Sequence, residues 1–440
     1  MSLSDFPRPS GDTGIGFHYF PDAEHYDRSH LLRWLPELKE MGASWLALFS
    51  PLDRPVPDAF LGGLLAEAIE PIIRLTPQPI QPIASGRLRE LLRYYAAGGV
   101  HYVYFYSRPN MASQWPMTDW CQPDLVERFT DLLVPCLELA ADVGLYPLLS
   151  PLQPGGDYWD TVFLEATLQG LRQKGKGYLF SRLGVAITNF AYNRPLEWGE
   201  GGNRRWQESL PYATPPGHQD QRGFYLFDWY DEVVKGQLGF SLPLLTVANG
   251  LRVGEVGDKD FPLVDEDTQE QRLLEMARLM REGRLPPYLF NHAFWLLASD
   301  GEEAESAWYK EDGTQIAAVV GLKGLAKGPR ATLLAKAIPP PTPKSLYHYL
   351  LLPSEQGAQW ATAAASYVEC FQISGGFRVE EAMNAEIVTI LGSRLGVDIK
   401  AERALRAAGC KVERLEVGDP KEARKRLKEM VRAGQRFLTL

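Results

Sequence analysis

Tyr102-Val103-Tyr104-Phe105-Tyr106-Ser107-Arg108-Pro109-Asn110 is the stretch on which the reading of this chain turns. Aromatic and β-branched residues give a short buried strand, and Ser-Arg-Pro-Asn ends it in a turn. Outward from it lie comparable runs at Gly14–Tyr19, Trp45–Phe49, Pro71–Leu75, Tyr146–Leu149, Gly184–Asn189, Leu242–Val247 and Tyr288–Leu297. Longer segments of helical period separate them. Leu31-Leu32-x-x-Leu35-x-x-Leu38 gives one apolar stripe, and Leu273-Leu274-x-Met276-Ala277-x-Leu279-Met280 another. Strands alternating with amphipathic helices specify βα units on a parallel sheet. Eight such runs are the number a closed (β/α)8 barrel needs. The expected fold class is α/β, a TIM barrel over residues 1–338 followed by a small flavodoxin-like α/β domain.

Two stretches break the rhythm. Glu197 to Gly223 is too long for an ordinary βα connection and is expected to lie over the barrel mouth. Pro339-Pro340-Pro341-Thr342-Pro343 reads as a stiff linker over 339–343. Beyond it, residues 344–440 predict strands at Leu346–Leu352, Glu386–Gly392 and Lys411–Leu415. Helices are expected at Ala358–Cys370, at Ala401–Gly409 ending on the glycine, and at Lys421–Ala433. Gly392-Ser393-Arg394-Leu395-Gly396 has neither GxGxxG spacing nor a P-loop lysine.

Composition bounds the function. A net charge of −9 argues against nucleic acid or an anionic membrane as the main partner. No apolar run reaches transmembrane length, and Met1 to Ser10 is polar and proline-rich rather than signal-like, so a cytoplasmic location is the default expectation. Cys121, Cys136, Cys370 and Cys410 are too widely spaced for a zinc site and read as isolated buried thiols. No metal and no cofactor are expected, because no His/Asp/Glu cluster has ligand spacing. The 11 tryptophans suit sugar stacking, although indoles also fill cores.

The stretch Tyr106-Ser107-Arg108-Pro109-Asn110-Met111-x-x-x-Trp115 follows a form that reads Asn-Glu-Pro-Asn-Leu-x-x-x-Trp in clan-A glycoside hydrolases. Leu242-Pro243-Leu244-Leu245-Thr246-Val247-Ala248-Asn249-Gly250 likewise resembles their Leu-Pro-x-x-x-Thr-Glu-x-Gly strand, with one residue extra before the glycine. The resemblance covers residues 12–325 and implies a barrel whose cleft handles oligosaccharides or polysaccharides. In that family the first Glu is the acid/base and the second the nucleophile. Here Arg108 and Val247 occupy the two positions. A guanidinium stays charged and protonates no leaving group, and Val247 has no nucleophile. Glu255, Glu197 and Asp157 are the acids available as replacements.

By the same resemblance, His18, Arg74, Asn110, Trp115, Tyr158, Trp159, Asn189, Tyr192, His292 and Trp295 are candidate sugar contacts. Each has a plainer reading. His18 can be a hydrogen-bonded core histidine and Trp295 a core filler. Arg74 can bind a hydroxyl or a glycan carboxylate, or it can pair with a buried acid. Asp157 and Asp160 can cap the helix that follows them. Arg108 needs an anionic partner, with Asp157, Asp160 and Glu255 as the candidates. Residues 385–415 also resemble half of a cell-wall-binding type 2 repeat, which implies a protein or cell-wall partner for the second domain.

Four functional classes remain open at this point. The barrel binds glycans without turnover, hydrolyses them through displaced carboxylates, serves as a scaffold, or belongs to another class of barrel enzyme.

Overall fold

A computed structural model describes residues 2–301, 303–325, 327–331, 344, 346–393, 396–408 and 410–438, the side chains of Arg403 and Ala407 excepted. The chain forms two compact units, Met1–Leu333 and Leu334–Leu440. The proline-rich stretch 339–343 and Gly409 lie outside the described residues.

In the first unit β1 (Ile15–His18), β2 (Trp45–Phe49), β3 (Glu70–Leu75), β4 (Tyr102–Phe105), β5 (Tyr146–Leu149), β6 (Gly184–Thr188), β7 (Leu244–Ala248) and β8 (Leu289–Phe294) close into one barrel. Every neighbouring pair is parallel, β1 with β8 included. All eight sequence runs therefore take part in it.

Alternation along the strands divides the side chains between two cores. Leu46, Ile73, Val103 and Ile187 face the helices, whereas Trp45, Ala47, Ile72, Tyr104, Leu148, Ala186, Leu245, Val247 and Phe290 fill the lumen. Gly16 makes room for this filling. A Cβ there would lie 2.8 Å from the Trp45 Cβ and 2.9 Å from the Trp45 carbonyl oxygen.

The N-terminal segment closes the lower end of the barrel. Phe6 packs 5.4 Å from the Tyr146 ring, the Arg8 guanidinium lies 3.8 Å over Phe290, and the Tyr102 hydroxyl donates to the Pro7 carbonyl at 2.6 Å. Asp12 accepts from the Trp45 indole at 2.8 Å and pairs with Arg330 at 3.1 Å. Only the upper end, where the strands deliver their C-termini, is left to present a site.

The helical layer departs from the sequence reading in one stripe. In the helix Arg28–Glu40 the buried residues are Trp34 and Leu38, while Leu32 is 66% exposed. The indole outcompetes the leucine because it covers more of the barrel wall. The stripe on Glu266–Arg281 is buried as expected. Cys136 and Cys410 are buried thiols, but Cys121 and Cys370 are exposed, which corrects that expectation.

The stretch 197–223 contains a single helical turn, Gly202–Arg205, and is fastened by side-chain ion pairs. Arg194 bonds Asp220 at 2.9 Å and Asp258 at 3.2 Å, and the Arg222 Nε reaches Asp220 at 2.9 Å. Burial raises the Asp220 pKa, but Arg222 and Arg194 outweigh it and hold the carboxyl at about 2. Tyr212 accepts from the Trp159 amide at 2.7 Å, tying the stretch to the start of the helix Asp160–Gln173.

The second unit is a four-stranded parallel sheet in the order β10 (Ser374–Gly376), β9 (Leu346–Leu351), β11 (Ala385–Leu391), β12 (Lys411–Leu415). Counted within the unit, this is the order 2-1-3-4 of a flavodoxin-like doubly wound sheet. Helices Gly357–Phe371 and Pro420–Ala433 pack against each other on one face, and Ile399–Ala407 lies against β12. Sequence reading found every strand except β10, whose Ser-Gly-Gly carries no strand propensity and holds its place only by pairing with β9. Among the described residues no helix is long and apolar enough to cross a membrane.

Candidate functional site

The rim of the barrel is built where each strand stops. β4 leaves the sheet through two non-glycine residues in the left-handed region, Tyr106 at φ 61° and Arg108 at φ 51°. Such a conformation costs about 1–3 kcal/mol per residue and persists only where its surroundings enforce it. Here they do. The Arg108 amide donates to the Pro151 carbonyl at 2.8 Å, and the Arg108 carbonyl accepts from Met111 at 3.0 Å. The turn leaves the Arg108 side chain exposed.

β7 carries a register shift. Ile187 pairs with Thr246 and Thr188 with Ala248, so Val247 is the extra residue on its strand. Val247 points into the lumen and is 2% exposed.

His18 shares the inward face of β1 with Gly16, two residues earlier. It is 1% exposed, and its ring lies 4.4 Å from Trp295 in an edge-on arrangement. Neither ring nitrogen of His18, nor the buried indole nitrogen of Trp295, has a hydrogen-bond partner among the described residues. Burial, and then the charge of Arg74, depress the His18 pKa to about 3, so the ring is neutral at pH 7.

Arg74, opposite Tyr104 in the β3–β4 register, lies 5.2 Å over the Phe49 ring and bonds Thr76 at 3.3 Å. Arg108 is near enough for Arg74 to oppose its charge. The Arg108 pKa is lowered by the partial desolvation of its exposed side chain and then by Arg74, against a smaller pull from Glu303. Among the described residues neither arginine makes an ion pair, which corrects the expected partnership of Arg108 with Asp157, Asp160 or Glu255. Nor does Arg74 pair with a buried acid.

Those acids are engaged elsewhere. The Asp157 carboxylate accepts from the Ala112 amide at 2.8 Å. Asp160 is fully buried and accepts from Gly155, Gln221 and Tyr230 at 2.9, 2.6 and 3.0 Å. Neither caps the helix Asp160–Gln173, whose N-cap position is Trp159. Glu255 accepts from the Arg252 amide at 3.1 Å, and burial raises its pKa. Glu197 is exposed, and its charge acts on Arg272. The three proposed replacement acids thus serve three different neighbours.

The remaining sugar-contact candidates divide sharply. Asn110 is a fastener: its amide donates to the Gln153 and Tyr158 carbonyls at 2.8 and 3.0 Å and accepts from Gln153 at 2.9 Å. Trp115 is 7% exposed and donates to the Pro109 carbonyl at 2.7 Å, inside the core. Tyr158 packs edge-on against Phe163. Trp159 is 6% exposed and lines a separate cleft of about 310 Å³ with Trp229 and Glu165. Asn189 donates to the Phe224 carbonyl at 3.0 Å, and His292 bonds Asn249 at 2.9 Å while facing the Phe224 ring. Tyr192 lies near Glu255, with its hydroxyl accepting from Gln153 at 3.5 Å. Of the ten candidates, His18 and Trp295 touch, and Arg74 stands on β3 opposite Tyr104 of β4, the strand that Arg108 follows.

One cluster escaped the sequence reading. Asp22 and Asp300 both bond His25, at 2.7 and 3.2 Å, and one ligand atom from each of the three lies within 4.8 Å of the others. Asp22-x-x-His25 is a weak local signal, and Asp300 lies 275 residues beyond His25, where spacing carries no information.

No protein-family model matches the chain, and no curated protein sequence matches it. Solved structures do. The chain is similar over 75% of its length to a family 39 glycoside hydrolase from the gut symbiont Bacteroides cellulosilyticus WH2, at 12% identity and a TM-score of 0.47, spanning 66% of that protein. It is similar over 72% to a GH128 (subgroup II) endo-beta-1,3-glucanase from Pseudomonas viridiflava, at 14% identity and a TM-score of 0.46, covering 99% of that chain. It is similar over 71% to XacCel5A, solved in complex with cellopentaose, at 12% identity and a TM-score of 0.40, covering 98% of it.

Proposed function

We propose that the mouth of this barrel binds a carbohydrate and does not hydrolyse it. The observation that carries this reading is the pair of residues at the ends of β4 and β7. Retaining hydrolysis needs two carboxyl groups about 5–5.5 Å apart at the reacting centre. Here one position holds an exposed arginine and the other a buried valine on a bulge. Trp295 offers a half-buried indole beside the neutral His18, a surface suited to the apolar face of a sugar ring. His18 would serve sugar hydroxyls through its ring nitrogens, as donor on one and acceptor on the other.

The test sets the unmodified protein against a panel of aryl glycosides, beside a glycan-binding array. Binding with no release of aglycone is the expected result. Robust hydrolysis would refute the reading. Silence in both assays would move attention to the second unit, whose resemblance to a cell-wall-binding repeat makes docking the remaining role.

A second reading has one observation in its favour. Asp22 and Asp300 are two acids whose oxygens lie within 4.8 Å, on the loops that follow β1 and β8. If hydrolysis is found, Asp22→Asn and Asp300→Asn are the variants to assay first, ahead of Glu255, Glu197 and Asp157.

A further inference from the structure

We infer that Arg74 and Arg108, above the His18–Trp295 floor, recognise the acidic group of a glycan, a uronate carboxylate or a sulfate ester. The inference rests on the mouth being a carbohydrate site and specifies which carbohydrates it takes.

Two features point to an anion and a third to the sugar that carries it. First, two arginines stand at the ends of the neighbouring strands β3 and β4, and among the described residues neither makes an ion pair. Like charges held close are unfavourable, and an anionic ligand between them reverses the sign of that interaction. The planar fork of arginine fits carboxylate and sulfate oxygens two at a time. Second, Glu303, the acid whose charge acts on Arg108, is drawn to Arg252, whose guanidinium lies 3.8 Å from its carboxylate. It leaves the arginines incompletely balanced.

Third, polar groups beneath them are buried without partners. Both ring nitrogens of His18, at 1% exposure, and the Trp295 indole N–H have none among the described residues. Buried polar atoms normally find a hydrogen-bond partner. A pyranose whose apolar face meets the indole and whose hydroxyl reaches His18 supplies one, while its acidic substituent meets the arginines. Because His18 is neutral, the positive charge of the mouth comes from the arginines. On this reading Arg108, following β4, supplies a charge that selects the ligand.

The experiment is calorimetric titration of the full chain with matched oligosaccharides: neutral, uronate-bearing and sulfated members of one backbone. Inorganic sulfate and acetate serve as sugar-free probes. Arg74→Gln and Arg108→Gln are titrated in parallel, with thermal unfolding as the check that each remains folded. An acidic member should bind at least tenfold more tightly than its neutral parent. Either substitution should remove about tenfold of that preference, read as the ratio of acidic to neutral affinity within each protein. The preference should also shrink as salt rises from 50 to 500 mM, about a threefold fall in screening length. The uronate and sulfate arms distinguish the two kinds of acidic group.

Equal binding of neutral and acidic members, indifferent to both substitutions, would overturn the inference and leave the sugar reading standing. Binding of sulfate or acetate, lost in both variants but with no saccharide bound, would support the anion site and overturn the sugar reading. Binding of none of these would overturn both.

Discussion

Replacing His18 by glutamine isolates the energetic signature of the mouth. The ring has an ordinary pKa of 6.5 when the chain is unfolded and about 3 in the folded protein, with burial the larger cause and Arg74 the smaller. Below pH 6.5 the unfolded chain therefore takes up a proton that the native state refuses. Stability from this group is complete above the unfolded value and is lost as pH falls toward 3. Linkage puts the loss between pH 7 and pH 5 at about 2 kcal/mol. Asp12, Asp160, Asp228 and Glu255 have raised pKa values and act in the opposite direction, so the wild-type curve alone does not separate the histidine.

The comparison with His18→Gln does separate it. Denaturant unfolding of both proteins at pH 7 and pH 5, followed by tryptophan fluorescence, should give a pH response about 2 kcal/mol smaller in the variant. His292, also fully buried with a pKa near 3, remains in both and cancels. An identical pH response in the two proteins would refute the neutral, buried His18. So would a ring resonance titrating near 6.5, and the positive charge of the mouth would then have a third source.

Three further substitutions test other parts of the account. Gly16→Ala should destabilise the barrel by about 1–3 kcal/mol, because the new methyl meets the Trp45 backbone rather than a movable side-chain end; a neutral effect on thermal unfolding would contradict the packing. Asn110→Ala should cost about 3 kcal/mol, since it leaves buried groups of Gln153 and Tyr158 unpaired, and a loss under 1 kcal/mol would show the rim turn held by other means. Arg108→Glu combined with Val247→Glu should yield measurable aryl β-glycosidase activity where neither single change does, because paired carboxylates act as a unit. Activity from one change alone would place the second acid elsewhere, with Asp22 and Asp300 the first candidates.

The barrel was legible in the sequence because each strand is buried on both faces and bounded by turn residues, as Trp45–Phe49 and Tyr146–Leu149 show to the residue. The second unit was legible for the same reason, apart from β10, whose three small residues depend on a neighbour. Arg108 does follow the end of β4, where the local pattern put it, but Val247 lies inside the lumen on a bulge that no local pattern announces. The company they keep was not legible. Asp157 and Asp160 follow β5, the strand next to β4, yet backbone and side-chain donors had already claimed both. Asn110 and Trp115 have residue types that suit sugar contacts, but their polar groups are spent on loop carbonyls. The Asp22–His25–Asp300 cluster exists only because barrel closure brings the loops after β1 and β8 together.

The most direct test of the central claim is the fate of a bound ligand. An oligosaccharide found to bind at the mouth should be incubated with the protein at saturation for many hours and then recovered and sized by chromatography. The account predicts that it returns intact, with no new reducing ends, and that Trp295→Ala abolishes its binding. Shortened products that form in proportion to protein concentration, and persist in a preparation purified to constant specific activity, would contradict it.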